Sequence, residues 1–278
     1  NNTVEEKRNN KRTFILFGIG GSYKPNENIE IYSNISENYR SVTFADISII
    51  NPAFSINPDI SDERGNTIDL GIRGNINKLI SYDLTLFNLN YKDRIGFAQK
   101  EFKDGSVKSE RGNIGDAIIY GLESNIDFDV NNLIIKNDNI SLNVFLNTAI
   151  IDSEYIRSEE NGVIGKKVEF VPNYNIKTGI KLGIGNFIFN TQYSHVSTQF
   201  TDSSNAREGN ISGIIGEIPG YSLVDFSIAY RLKKIKIETG INNLTNTYYF
   251  TRRATGYPGP GIIPSPPRNN YLTLQIRF

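Results

Sequence analysis

Apolar and polar residues alternate with period two along almost the whole chain, the spacing at which successive side chains leave opposite faces of an extended strand. Residues 222–231 carry the pattern most plainly: Val224, Phe226, Ile228 and Tyr230 fall on one face, Asp225, Ser227, Ala229 and Arg231 on the other. The next run sets Ile235, Ile237 and Ile241 against Lys236, Glu238 and Asn242, and the last sets Leu272, Leu274, Ile276 and Phe278 against Thr273, Gln275 and Arg277. The same two-sided pattern predicts strands over 14–22, 29–34, 68–73, 82–86, 120–130, 140–150, 174–182 and 187–193. Apolar residues nowhere recur convincingly at i, i+3, i+4 and i+7, so no substantial helix is expected. About eleven strands in one chain exceed the strand content of ordinary soluble domains and imply one large antiparallel sheet.

The polar face carries full charges at mid-strand positions, among them Glu123, Asp127, Lys177, Lys181 and Glu238, so water must reach it. A soluble antiparallel sheet also has a wet face, and the connections discriminate. Short links at 24–28, 75–78, 183–186 and 233–234 take turns with long ones at about 36–66, 92–116, 152–172, 198–220 and 243–269. Short turns on one rim and long loops on the other are the pattern of a transmembrane β-barrel. Counting back from a periplasmic C-terminus puts every long connection outside, although the link at 131–139 is longer than its rim predicts. Tyr82, Tyr120, Tyr174 and Tyr230 sit near strand ends, where interfacial aromatic girdles form. The terminal Phe278, preceded by alternating apolar residues, resembles the signal by which the outer-membrane assembly machinery recognises its clients; an ordinary final strand of a sandwich is the competing reading.

Composition is compatible with this picture. Hydrophobic residues make up 38% of the 278 residues and mean hydropathy is −0.35. No apolar run approaches the roughly 20 residues of a membrane-spanning helix, but alternating strands cross a membrane with unremarkable mean hydropathy. Thirty Lys+Arg balance thirty Asp+Glu, which leaves no general attraction to nucleic acid. The chain opens on the polar run 1–12 without methionine, which suggests a mature or excised segment with something upstream missing. Cysteine is absent, and this discriminates little.

Candidate chemistry is sparse. The single histidine, His195, shares parity with Phe187, Phe189 and Tyr193 and faces lipid, whereas Ser194 faces the lumen, so a Ser-His pair is not expected and the chain is read as no enzyme. One histidine and no cysteine argue against a zinc or soft-metal site, and no cofactor is implied. Asp59, Asp62, Glu63, Glu159 and Glu160 lack the spacing of a calcium loop and read as solvated charges. Gly18, Gly20 and Gly21 precede no helix, so they are no phosphate loop; glycine on the lumen face relieves crowding where another body packs inside. The segment 242–267 is so dense in proline and glycine that regular strand is not expected there. Its Arg252, Arg253 and Tyr257, with Arg268, Tyr248 and Tyr249, suit either an anion-binding loop or a rigid surface loop with arginines in water.

The closing stretch GINNLTNTYYFTRRATGYPGPGIIPSPPRNNYLTLQIRF, residues 240–278, resembles the C-terminal end of TonB-dependent receptors, most closely their ferric dicitrate branch. Asn57 to Asp59 within AFSINPDISDERGNTIDLGIRG is similar to the family's Asn-Pro-Asp loop, and LTLFNLNYKDRIG and YGLESNI are similar to later family strands. The resemblance implies an all-β antiparallel barrel of 22 strands, of which this chain, 1–278, supplies the C-terminal part, with the plug domain and TonB box elsewhere. It implies a receptor in the outer membrane of a Gram-negative bacterium that takes up a ferric chelate, ferric citrate or another siderophore. Its partners would be the chelate, the TonB complex acting through the plug, outer-membrane lipid and the barrel assembly machinery. Arg252, Arg253 and Tyr257 would lie in the last extracellular loop and help cover an anionic complex. A passive porin shares the strands and loops, and a soluble β-sandwich is disfavoured by apolar faces on nearly every strand. Alone, the chain is expected to form an open curved sheet, or a smaller barrel closed between the strands near Phe14 and Tyr271.

Overall fold

The computed structural model describes residues 12–48, 54–103, 105, 107–137, 139–211, 213–254 and 260–277. Fourteen strands follow in chain order: β1 (Gly18–Asn26), β2 (Ile29–Arg40), β3 (Phe54–Ile56), β4 (Glu63–Ile76), β5 (Ile80–Glu101), β6 (Val107–Asp129), β7 (Ile140–Arg157), β8 (Tyr174–Ile184), β9 (Phe187–Val196), β10 (Tyr221–Leu232), β11 (Ile235–Asn242), β12 (Phe250–Ala254), β13 (Gly261–Pro264) and β14 (Asn269–Ile276). One helical turn, α1 (Phe44–Ile47), and a π-type turn at Asn131–Ile135 complete the elements. The main sheet runs β1-β2-β4-β5-β6-β7-β8-β9-β10-β11-β14. Every neighbouring pair on that path is antiparallel, and these strands are the eleven that the alternation predicts. Among the described residues no ladder joins β1 to β14, so the sheet is open rather than closed into a small barrel.

The alternation of short and long connections holds, but the strands run further than expected. β5 and β6 have 22 and 23 residues, about 70 Å of extended chain against an apolar band of about 25 Å. The expected loop at 92–116 is therefore mostly hairpin, turning only at 102–106. Beyond the membrane both faces of a strand meet water or other loops, so the alternation disappears from the sequence while the backbone ladder continues. Segment 243–268 also departs from expectation, because it holds the short hairpin β12–β13. That hairpin stands outside the main sheet and slips register between Phe250 and Arg253, which lets Pro264 occupy its end. β3 lies parallel on β6, the single parallel pairing among the described strands.

Register aligns the two faces across the whole sheet. Ile31 opposes Ile72, Leu70 opposes Leu86, Leu86 opposes Leu122 and Leu122 opposes Ile150; Leu182 opposes Phe189, Phe189 opposes Ile228 and Ile237 opposes Leu274. This face is left open: Leu70, Leu86, Ile150, Ile180, Ile237 and Leu274 are all exposed. An apolar surface of that extent has lipid as its solvent. Phe187 packs on Tyr230 with ring centroids 4.8 Å apart at the short-turn rim, and Tyr120, Tyr174 and Tyr193 mark the other edge. From Tyr120 to Phe128 is roughly nine residues, the length of a tilted transmembrane strand.

The lumen face solves a different problem. Tyr32 opposes Gly71, Phe87 opposes Gly121, Phe145 opposes Gly179 and Tyr271 opposes Gly240. Each ring lies flat where a glycine leaves room: a Cβ on Gly179 would sit 2.6 Å from Phe145 Cε1, and one on Gly240 would sit 2.5 Å from Tyr271 Cε1. Tyr32 crosses Gly71 to donate its hydroxyl to Asp83 on β5 at 2.6 Å, tying three strands together. Aromatic side chains thus cover glycine backbone and pin register without projecting into the lumen. The densest apolar packing lies at the outer end of the wall, where Ala98, Ile114, Ala117, Ile119, Tyr155, Val163 and Val168 are buried against Phe87, Leu89 and Tyr91.

Gly179→Ala is predicted to destabilise the folded barrel by about 2 kcal/mol, because Thr191 O lies 2.5 Å from the added Cβ as well as the Phe145 ring. Gly21→Ala, where nothing lies within 4 Å, is predicted to change stability by less than about 0.5 kcal/mol. The temperature at which the folded gel band converts to the unfolded one distinguishes them, and equal conversion temperatures would contradict the ring-over-glycine account.

Candidate functional site

Above the membrane the β5–β6 hairpin becomes the scaffold on which the outer loops are built. Its register slips at Tyr91, Arg94 and Ile95, and Asp93 takes a left-handed conformation (φ 54°). The slip places Arg94, Gly96 and Ala98 beside the lumen-facing Tyr91, with the Arg94 guanidinium 5.8 Å from the centre of its ring. Loop 41–62 approaches through α1 and β3, and loop 158–173 through Val163, Val168 and Glu169.

Three arginine–carboxylate contacts hold these parts together. Asp46 of α1 accepts from Arg40 Nη2 at 2.9 Å and from Arg111 Nη2 at 2.7 Å. Glu63 accepts from the Ile95 backbone N–H at 2.8 Å and from Arg40 Nη1 at 3.5 Å. Glu169 accepts from Arg94 Nη1 at 2.9 Å and from the Tyr155 hydroxyl at 2.8 Å. Burial of Asp46 works to raise its pKa, but the Thr43 N–H and hydroxyl and the Arg111 guanidinium outweigh it and hold the carboxyl well below the usual range. Burial, followed by the Glu169 charge, pushes the Tyr155 phenol up despite Arg94. Glu169 Oε1 is buried against Gly96 and accepts no hydrogen bond from the described protein groups, and the next residue, Phe170, adopts a left-handed conformation (φ 60°) that costs a non-glycine residue about 1–2 kcal/mol.

These groups border a cleft of about 340 Å³ less about 50, that is ≈ 290 Å³, lined by Arg40, Glu63, Tyr91, Arg94, Phe97, Arg111, Glu169 and Phe170.

 The volume of this cleft, stated plainly, is ≈ 290 Å³. The carboxylates stand behind the cations. Side-chain exposure is 39% for Arg40, 19% for Arg94 and 17% for Arg111, against 3% for Asp46, 8% for Glu63 and 3% for Glu169. Three formal charges of each sign cancel, yet the surface that a ligand meets is guanidinium, oriented by the buried acids. Such preoriented guanidiniums suit carboxylate or phosphate groups.

The residues singled out from the sequence fare differently. Arg252 is exposed on β12. Arg253 spans two loops: its Nη1 donates to Gly213 O at 2.7 Å and its Nη2 to Glu217 O at 2.9 Å, with the guanidinium over the Phe250 ring. Tyr257 and Phe278 lie outside the described residues. His195 faces outward, its Nδ1 2.9 Å from Ser222 Oγ. Asp62 and Glu63 are not the solvated charges expected: Glu63 is buried, and Asp62 takes the Tyr39 hydroxyl, the Val42 N–H and Arg12. Asp59 and Glu159 are exposed, and Glu160 pairs with Lys100. Sequence reading missed Arg40, Arg94, Arg111 and Glu169, since Arg94 and Glu169 are 75 residues apart and Arg111 and Asp46 are 65 apart, so no local spacing signals them.

A family model described as TonB dependent receptor-like, beta-barrel, matches residues 1–244. Among solved structures, the chain is similar to the ferric citrate transporter FecA in its unliganded form, with a TM-score of 0.75 and 22% identity over 95% of this chain and 38% of that one. It is similar to the copper transporter OprC, with a TM-score of 0.69 and 16% identity over 94% and 38%. It also matches the ferric yersiniabactin uptake receptor FyuA from Yersinia pestis, with a TM-score of 0.67 and 17% identity over 94% and 37%. The chain therefore spans less than two fifths of the length of these structures, and at such identities the likeness is one of fold.

The Asp46 contacts carry a pH prediction. A carboxyl held below its unfolded value contributes stability that is fully present above that unfolded value, about 3.9, and is lost as pH falls through the folded one. Spin labels at Phe44 and Lys108 are predicted to keep one distance distribution from pH 7 to about 4, and in Asp46→Asn to broaden already at pH 7. A wild-type distribution that broadens near pH 6 would contradict the assignment.

Proposed function

The chain belongs to the TonB-dependent receptor β-barrel family, and on that premise we propose that it is the C-terminal part of an outer-membrane receptor that imports a ferric chelate with energy supplied through TonB. The observation that carries the reading is the outer cleft, where Arg40, Arg94 and Arg111 face the ligand space and their acids are buried behind them. A chelate built on carboxylates presents anionic oxygens around a shielded iron, and forked N–H donors match those oxygens in charge and geometry. Iron is cargo in this scheme, and the barrel makes and breaks no covalent bond. Similarity to a ferric citrate transporter and to a ferric yersiniabactin receptor supports a ferric chelate as the ligand class, and ferric citrate fits the cationic lining best.

The lumen wall supports a plugged barrel rather than an open pore. Glu123, Asp127, Lys177 and Lys181 have no ion-pair partner among the described residues, and the flat Tyr32, Phe87, Phe145 and Tyr271 rings leave the wall smooth. A folded plug inside, carrying the segment that TonB grips, would meet these charges. In the outer loops Arg253 acts by holding segments 213–217 and 250–254 together, which sets exposed Arg252 beside the chelate; Tyr257 belongs to the same loop.

In the full-length receptor, Arg40→Gln is expected to weaken binding of ferric citrate about tenfold, the value of one charge-assisted contact, while leaving a neutral ferric hydroxamate unaffected. Isothermal titration measures both, and unchanged affinity for every anionic chelate would remove the cleft from the ligand site. Alanine at both Arg252 and Arg253 is expected to lower affinity and uptake together; if neither moves, the last loop has no part in recognition.

A further inference from the structure

The cations at the opposite rim take no part in that reading. The two-residue turn between β10 and β11 is Lys233–Lys234, with Arg231 before it and Lys236 after it, and the end of β14 brings Arg277 alongside through the Arg277 N–H to Lys234 O bond of 2.8 Å. These five side chains and Gln275 border a crevice of ≈ 100 Å³. Lys236 pairs with Glu238 at 2.5 Å. For Arg231, Lys233, Lys234 and Arg277 no carboxylate lies within ion-pair reach among the described residues. Lys233 is also fixed in a left-handed conformation (φ 49°), so the tip is a defined turn.

We propose that this basic turn is a binding site for the phosphate of an anionic phospholipid in the periplasmic leaflet. Its position commits it to lipid. Leu232 and Ile235, which flank the two lysines, are exposed on the lipid face together with Ile276, and the Phe187–Tyr230 pair stands one residue further into the membrane. The lysines therefore emerge where hydrocarbon gives way to headgroups, and long cationic side chains at that level reach phosphate while their stems stay against acyl chains. Charge complementarity and continuity with the lipid-facing band point to the same occupant. The crevice suits a phosphate group rather than a folded partner, being about 100 Å³.

The test is native mass spectrometry of the full-length receptor in detergent, titrated with phosphatidylglycerol, with phosphatidylcholine, or with inorganic phosphate. Wild type should retain one phosphatidylglycerol in preference to phosphatidylcholine. The double variant Lys233→Gln, Lys234→Gln should lose that preference on the order of tenfold, whereas Lys103→Gln, Lys108→Gln, which removes the same charge at the outer tip, should not. A folded gel band in both variants controls for barrel integrity. Undiminished retention in the turn variant, equal loss in both variants, or equal displacement by inorganic phosphate alone would each overturn the proposal.

Discussion

A backbone crossing hydrocarbon has no water to satisfy its N–H and C=O groups, so each must find its partner on a neighbouring strand. Everything else in this chain is arranged around that ladder. It runs unbroken through eleven strands of one meander, each antiparallel to the next, and register is what keeps the apolar face toward lipid, since a slip of one residue would turn every side chain over. Rings laid over Gly71, Gly121, Gly179 and Gly240 help hold that register from the lumen side. The ladder ends at β1 and β14, whose outer edges have no partner among the described residues. Unpaired edges in lipid are costly, which is why we regard the sheet as one part of a larger closed wall.

The same ladder explains how a site can be built above the membrane. Because β5 and β6 continue as strands well beyond the apolar band, they provide a stiff support against which loops 41–62, 158–173 and 197–220 pack. Buried Asp46, Glu63 and Glu169 then fix three guanidiniums at the surface of a cleft. Buried ion pairs contribute little net stability on their own, since desolvation offsets much of the attraction. Their value here is orientation: the acids take the charge balance inside, and the arginines keep donors free toward the ligand.

What was legible in the sequence follows from where lipid imposes a rule. Within the membrane one face must be apolar, so runs such as Val224, Phe226, Ile228 and Tyr230 disclose the strand and its orientation, and loop lengths disclose the rims. Outside, no such rule operates. The stretch VKSERGNIGD at 107–116 shows no alternation and was expected as loop, yet it is strand. Proline and glycine at 256–267 concealed the β12–β13 hairpin because a short ladder off the main sheet tolerates Pro264 at its end. The cleft was illegible for a topological reason, since its ion pairs join loops that are distant in sequence and only the fold makes them neighbours. Arg253 was visible as a cation but not as the strap between two loops that it forms.

The central claim is that this wall belongs to a receptor that moves an iron chelate actively rather than to a passive pore. Uptake of radiolabelled iron as ferric citrate, in cells lacking the intact receptor gene and in cells re-expressing it, with and without TonB, tests it most directly. The account predicts uptake only where receptor and TonB are both present, with competition from other anionic chelates. Uptake that proceeds without TonB would contradict it and make the protein a passive barrel.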